Sequence, residues 1–492
     1  MRRPSLLLLA LLLVLAFAFQ GTRAIWEPDE GRYTATALNM LGSGDWLVPT
    51  LDGERPHLTK PPIVYWSIAA SIAALGQNEW AARLPGALAF VITGLCVLGI
   101  GRRLLPGRPW LPAAIWATCL APFIGSNIVS TDALLMCCEA LAMYAFVEAW
   151  SLEGTARRRW ILAMWFAWGL AFMTKGPPGL LPLLAMVVFL AAHDRPQLRG
   201  LFPPAGLLLF AVVAFTWFGL IVYQEPDRLQ YFLGYEVYDR IFTARHDRNA
   251  QWYGGFRVYV PVLILGSLPW WPMALKAAGG PRAGWREFRE RIRARDLPLL
   301  LALYWFALPL AVFFLSRSRL ELYLIPLFAP LALLLARPLA RWDWLDDRRL
   351  ARVTLVTAVV LIVLKGVAAY VPSNRDSRIM AEAIRHVVDM HGIEEIAFVG
   401  SRPFYGLTMY LNVHVEGLSF GKHLEFATEH LTAETVCEEI AERERNVYAL
   451  KRNRAAEFVA TVHACGNLTA REVGVFEADD NKFALFIVDH RG

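Results

Sequence analysis

Between residues 80 and 371 one apolar segment follows another, near 80–104, 110–125, 132–150, 160–174, 177–192, 201–223, 257–275, 297–315, 321–337 and 350–371. A helix needs about 20 apolar residues to cross the hydrocarbon core of a bilayer, and a backbone inside lipid must satisfy its own hydrogen bonds. These segments are therefore read as membrane helices. Met1 to Phe19 adds two arginines followed by an unbroken apolar run, either a signal peptide or a first membrane helix. It lacks an Ala-x-Ala cleavage site and the chain stays hydrophobic, which favours an uncleaved anchor and makes eleven crossings. The expected fold is a polytopic α-helical membrane protein of about 11–13 transmembrane helices, several of them short, with a small α/β domain at the C-terminal end.

Orientation follows from arginine. Arg102, Arg103 and Arg108, Arg157 to Arg159, Arg195 and Arg199, the run from Arg282 to Arg295, and Arg337 to Arg349 fall on one side if the segments alternate, and that side is the cytoplasm. The net charge of +6 is thus a sign of topology and not of a nucleic-acid partner; at 56% hydrophobic and 19% charged residues, the chain is no soluble globular protein. The opposite, outer side receives Asp29, Lys60, Asp132, Lys175, the 224–256 loop, Arg317 to Arg319 and everything after Pro372.

Two domains are expected: a membrane domain over 1–371, with an amphipathic first outer loop at 21–79, and a soluble domain over 372–492. In the tail, charged helical stretches (Arg378 to Met390, Ala433 to Arg445, Arg454 to His463) alternate with β-like runs (Ile396 to Val399, Val447 to Leu450, Phe483 to Val488). Cys96, Cys119, Cys137 and Cys138 lie in apolar segments and read as small buried hydrophobes. Cys437 and Cys465 fit no metal-binding spacing, and a disulfide between them is open if the tail faces an oxidising compartment. The chain carries no internal repeat and no Walker or dinucleotide fingerprint.

Chemistry concentrates on the outer side. In Glu27-Pro28-Asp29-Glu30-Gly31-Arg32-Tyr33, Pro28 suits the first position of a short amphipathic helix. Asp29, Arg32 and Tyr33, at i, i+3 and i+4, then share a face, with Glu30 turned about 100° away. Lys60, before Pro61-Pro62, is a cation at headgroup depth, either a snorkelling side chain or a ligand group. Asp132 opens an apolar helix, where an acid more often caps than catalyses, although Ser130 or Thr131 could equally cap. Lys175 interrupts an apolar run beside Gly176 and two prolines; a charge at that depth calls for a partner or a ligand. Arg319 and Tyr323, four apart, would present a guanidinium and a phenol on one helical face. Glu236, Arg240, His246, Asp247, Arg248 and Trp252 suit a lid, with His246 a loop residue and not a base. Cations at the lipid boundary suit a phosphate on a lipid, and a carboxylate beside them suits taking a proton from an incoming hydroxyl or amine. Displacement of a lipid phosphate from a sugar carbon would use both.

Asp29-Glu30-x-Arg32-Tyr33, Gly44-Asp45-Trp46 with Val48-Pro49, Lys60-Pro61-Pro62 with Tyr65-Trp66, Ala82-Arg83-Leu84-Pro85, the Asp132 loop, Lys175-Gly176 and Ser316-x-x-x-Leu320-x-x-Tyr323 together resemble the aminoarabinose transferase and protein O-mannosyltransferase superfamily, membrane glycosyltransferases of GT-C architecture. The resemblance runs from about residue 5 to 335; the tail resembles the outer domain that some members carry. It implies a sugar donor on a polyprenyl phosphate, undecaprenyl in bacteria, and inversion at the anomeric centre. Asp29 would match the catalytic acid and Asp132 the second functional aspartate, while Lys60, Lys175, Arg32 and Tyr323 would match donor-phosphate contacts, with Tyr33 and Arg319 beside them. The acceptor would be lipid A or a related envelope lipid, with another glycan or a protein as alternatives, at the periplasmic face of an inner membrane. The chain departs from the pattern at His57-Leu58-Thr59, where relatives that modify lipid A often carry aromatic residues, at Glu321 in place of a proline and at Arg319 in place of a lysine. A flippase of lipid-linked sugars would share the spans but calls for polar residues spread through the membrane and two related halves, which this chain lacks.

Overall fold

The computed structural model describes residues 3–53, 55–239, 248–343, 345–421, 434–442 and 445–490. The chain divides into two compact units: Met1–Gln20, Thr59–Val64 and Arg83–Val367 form one, and Gly21–Leu58, Tyr65–Ala82 and Ala368–Gly492 the other.

The first unit is helical. Among the described residues six helices are long and apolar enough to cross a membrane: Glu79–Leu104, Thr131–Trp150, Pro204–Gln224, Leu297–Leu315, Glu321–Arg341 and Asp347–Tyr370. Gly254–Gly266 and Trp270–Ala277, bent by 74°, would together make a seventh. Pro4–Phe17, Ile63–Leu75 and Pro177–His193 are apolar but shorter. The chain is thus a polytopic helical membrane protein. The eleven segments counted from hydropathy differ from this set for local reasons. The 110–125 segment is two seven-residue helices, Leu111–Ala117 and Leu120–Ser126, parted where Thr118 Oγ1 turns back to bond Ala114 O. Gly154–Lys175 carries three arginines, Arg157 to Arg159, in its first two turns, and its continuation is broken at Gly176, whose φ of 73° admits no ordinary side chain cheaply. The N-terminal helix, Arg3–Phe17, packs closely: a Cβ at Gly94 would sit 2.5 Å from a Leu12 methyl. Large rings fill the interior, with Trp116, Trp168, Trp270 and Trp305 fully buried, and Trp270 Nε1 donates to Thr118 Oγ1 at 2.9 Å.

In the second unit a five-stranded sheet runs β2-β1-β3-β5-β4, with β1 Glu395–Val399, β2 His414–Leu418, β3 Asn446–Lys451, β4 Leu468–Ala478 and β5 Asn481–His490. β1 pairs in parallel with β2 and β3, and β5 is antiparallel to β3 and β4. Alternation along the strands gives two apolar faces. Ile396, Phe398 and Val447 pack with Met380 and Ile384 of the Ser377–His391 helix, and Val399, Leu450 and Phe486 with Phe458 and Val462 of Ala455–Ala464. The three strands expected from sequence are β1, β3 and β5; β2 carries Glu416 and Gly417, and β4 is heavily charged, which hides both from an apolar count. Cys437 and Cys465 are joined by a disulfide, with Cα atoms 5.3 Å apart.

Candidate functional site

In the first unit, Thr131–Trp150 and Gly154–Lys175 form a helical hairpin joined by three residues, which returns Lys175 to the level of Asp132. Ser130 is the N-cap, its Oγ accepting from Asp132 N at 3.3 Å, so the Asp132 carboxylate is not needed as a cap. It accepts a hydrogen bond from Lys175 Nζ instead, with the two side chains 7% and 9% exposed. Lys175 ends its helix, where a cation meets the negative end of the helix dipole, and its Nζ lies 4.3 Å from the Tyr323 ring centroid. Three of the sequence candidates therefore converge: Asp132, Lys175 and Tyr323. Glu139, two turns further along the helix from Asp132, is buried and within electrostatic reach of both Lys175 and Asp132. Sequence reasoning passed over it, although an acid inside an apolar run is itself a signal.

Arg319 goes elsewhere. Leu320, with extended backbone, is the N-cap of a 3-10 turn over Glu321–Leu327, so Arg319 precedes the helix and does not share a face with Tyr323. Its buried guanidinium donates to Asn249 O and Gln251 O at 2.7 Å and to Phe314 O at 3.1 Å. Its own backbone N–H bonds Arg248 O at 2.9 Å, so four contacts clamp two loop segments together. Lys60 is half-buried and Nζ donates to Thr59 O at 2.8 Å. Of the expected lid, Tyr231 Oη donates to Glu236 at 3.2 Å and Trp252 is 84% exposed; Arg240, His246 and Asp247 lie outside the described residues.

In the second unit, the expected first-loop helix spans Asp29–Ser43, with Pro28 as its N-cap, one place earlier than expected, and Gly44 closing it at φ 71°. Asp29 and Arg32 pair at 2.5 Å, both accessible at 52% and 32%. The Arg32 guanidinium stands 6.0 Å from the Tyr33 ring, which lies 5.7 Å from that of Tyr65. Glu30, turned away, is fixed by Arg23 at 2.7 and 2.8 Å and by Trp26 N at 3.0 Å. Glu27, not singled out in the sequence, is buried: its Oε1 accepts from Ser377 Oγ at 3.0 Å and from Gly406 N, while Oε2 has no partner among the described residues. Burial pushes its carboxyl up to about 8.

Each unit thus offers a different element of chemistry. One holds a buried ammonium against a carboxylate and an aromatic ring, a group suited to an anion; the other presents an accessible carboxylate beside an arginine, suited to taking a proton. Among the described residues, acidic side chains close enough to share an ion lie in the second unit, at Glu395, Glu416 and Glu439 and at Glu434, Glu439 and Glu442.

Residues 59–219 match the family model described as dolichyl-phosphate-mannose-protein mannosyltransferase. The chain is 34% identical over 335 residues to undecaprenyl phosphate-alpha-4-amino-4-deoxy-L-arabinose arabinosyl transferase 2 of Sodalis glossinidius, a match covering 67% of this chain and 58% of that protein. With the corresponding transferase of Edwardsiella ictaluri it shares 32% identity over 353 residues, 70% of this chain and 61% of the relative. The match therefore spans about three-fifths of the length of these curated relatives. The crystal structure of ArnT from Cupriavidus metallidurans bound to undecaprenyl phosphate superposes with a TM-score of 0.75 at 20% identity, covering 98% of this chain and 97% of that one, which shows a shared fold.

Proposed function

Because the chain is a member of the GT-C superfamily of aminoarabinose transferases and protein O-mannosyltransferases, we propose that it is an integral membrane glycosyltransferase drawing its sugar from a polyprenyl phosphate. The donor is an undecaprenyl phosphate sugar, and the reaction runs on the periplasmic side of a bacterial inner membrane, where the second unit also lies. The acceptor is lipid A or a related envelope lipid. The names of the curated relatives support the donor; the acceptor rests on the family resemblance of the sequence motifs, an argument by analogy. A protein acceptor is the second reading, favoured by the description of the family model over residues 59–219.

The observation that carries the proposal is the buried Lys175 ammonium held between Asp132 and Tyr323. A charge so enclosed is retained where an anion must be met, and a phosphate leaving group develops negative charge as its bond to sugar breaks. In the proposed step the acceptor hydroxyl oxygen attacks the anomeric carbon from the face opposite the phosphate. The bond from that carbon to the phosphate oxygen breaks, polyprenyl phosphate departs with the electron pair, and the acceptor proton passes to Asp29. Lys60, Lys175, Arg32 and Tyr323 contact the donor phosphate, Asp132 holds Lys175 in place, Tyr33 supports Arg32, and Arg319 acts through the loop segments it clamps.

Mass spectrometry of envelope lipids and proteins from a deletion strain tests this reading. A sugar should disappear from lipid A, return with the intact gene, and stay absent with Asp29→Asn. An unchanged glycan profile in the deletion strain, or full restoration by Asp29→Asn, would overturn it.

A further inference from the structure

At one end of the sheet the strand register gathers acids. Ala397 of β1 lies opposite Glu416 of β2 and Tyr448 of β3, and Glu395 lies opposite Asn446. Paired residues point to the same side of a sheet and positions two apart do so as well, so Glu395, Glu416, Asn446 and Tyr448 share one face. The Val436–Glu442 helix brings Glu439 onto that face. One carboxylate oxygen from each of Glu395, Glu416 and Glu439 lies within 4.8 Å of the others. Glu416 and Glu439 are 4% and 2% exposed. Among the described residues Arg55 faces the cluster, giving one nitrogen to Glu416 and another to Asp52, each at 2.8 Å. Carboxylates this close together repel one another, and gathering them in so buried a place is costly unless something between them draws them together. Burial and the neighbouring glutamates push the Glu416 carboxyl far above the usual range.

A second observation points to what balances them. Asn446, 5% exposed, turns its amide into the cluster, with Nδ2 donating to Glu439 Oε1, yet its Oδ1 has no partner among the described residues. Glu416 Oε1 has none either. An amide oxygen and one oxygen of the three carboxylates, both buried and without donors among the described residues, form a set that a single proton can only partly satisfy. A cation bonded to oxygen at about 2.3–2.6 Å holds ligand atoms up to about 5 Å apart, which this cluster meets. An all-oxygen set rich in carboxylate selects hard ions over zinc or copper.

We propose that Glu395, Glu416 and Glu439, with the Asn446 side-chain amide, bind one hard divalent cation of the Ca2+ type, tying β1, β2, β3 and the Val436–Glu442 helix together and fixing the glutamate that Arg55 grips. The sequence hides the site because its ligands come from four separate elements with no motif spacing. The proposal is independent of the transfer chemistry and is read without it.

The test uses the purified full-length protein in detergent, stripped with EDTA and desalted. It is titrated with CaCl2, and then separately with MgCl2 and MnCl2, by isothermal titration calorimetry and thermal unfolding. Ca2+ binds at one ion per chain and raises the unfolding temperature in a saturable way. Glu395→Gln, at the half-buried position, weakens binding by about tenfold or more, and Glu416→Gln with Glu439→Gln abolishes the response. If the double variant fails to fold, the single Glu395→Gln variant still decides. No binding of any of the three ions, or undiminished Ca2+ binding in these variants, overturns the proposal. So does stabilisation by acid alone without response to metal, which assigns a proton shared by Glu416 and Glu439.

Discussion

Lys175 and Asp132 pair at the open end of one helical hairpin, the lysine closing the second helix and the aspartate lying in the first turn of the first. Both side chains are withdrawn from solvent, so neither charge can be left alone cheaply. Lys175→Met or Asp132→Leu alone should destabilise by about 3–5 kcal/mol, and the double substitution by much less, because it removes the orphaned charge. Sugar transfer should be lost in all three. Thermal unfolding read beside transfer rate checks this; a double variant that regains stability and activity together would show that the pair is only structural.

Asp29 and Arg32 are accessible, and an exposed ion pair contributes about 0–1 kcal/mol. Asp29→Asn should therefore leave the unfolding temperature nearly unchanged while lowering transfer by about 10²–10⁴-fold, the usual contribution of a general base. Glu30→Gln should behave in the opposite way. It weakens the hold on Arg23 and the Trp26 N–H, so stability falls while Asp29, the proposed base, is untouched. Transfer assays on both purified variants separate the two adjacent acids.

Much of this was legible along the chain. The hairpin could be foreseen because two helices of about 20 residues with a three-residue turn bring the start of one beside the end of the other. The Asp29, Arg32 and Tyr33 face followed from helical spacing alone. Glu27 was not legible, since its burial depends on Ser377 and Gly406, 350 and 379 residues away. Arg319 was misplaced because its spacing to Tyr323 was read as helical, whereas the helix begins only after Leu320. The Glu395, Glu416 and Glu439 cluster needed the strand register, which no single segment contains.

Glu27 makes a pH prediction. Its folded value of about 8 lies above the ordinary 4.5, so the native protein holds this proton more tightly than the unfolded chain does. Its contribution to stability is fully present below about 4.5 and is lost as pH rises through about 8. Glu27→Gln keeps an oxygen for Ser377 and Gly406 and carries no charge at any pH. The variant should gain stability relative to the parent as pH goes from 5 to 9. Unfolding temperatures of the two proteins across that range provide the check, and a constant difference would refute the buried protonated carboxyl.

Arg319 donates to three backbone carbonyls from one planar group, which a lysine ammonium cannot match in direction. Arg319→Lys should cost about 1–3 kcal/mol through carbonyls left unsatisfied. If the guanidinium acts by holding the Asn249 to Gln251 segment, the variant should raise KM for the lipid donor more than it lowers kcat. Steady-state transfer kinetics distinguish this from a direct phosphate contact, for which kcat falls.

The Cys437–Cys465 bond closes a loop of 28 residues, and in the chain-entropy picture such a closure contributes about 3–4 kcal/mol by restricting the unfolded state. Its persistence requires an oxidising compartment, so it also reports which side of the membrane the second unit faces. Protein denatured in the presence of a maleimide reagent, without reductant, should label at Cys96, Cys119, Cys137 and Cys138 and not at the two tail cysteines. After reduction all six should label. Cys437→Ser with Cys465→Ser should unfold at lower temperature with the membrane helices unaffected. Labelling of all six cysteines before reduction, in protein isolated from cells, would place the tail on the reducing side and contradict both the bond and the proposed periplasmic orientation.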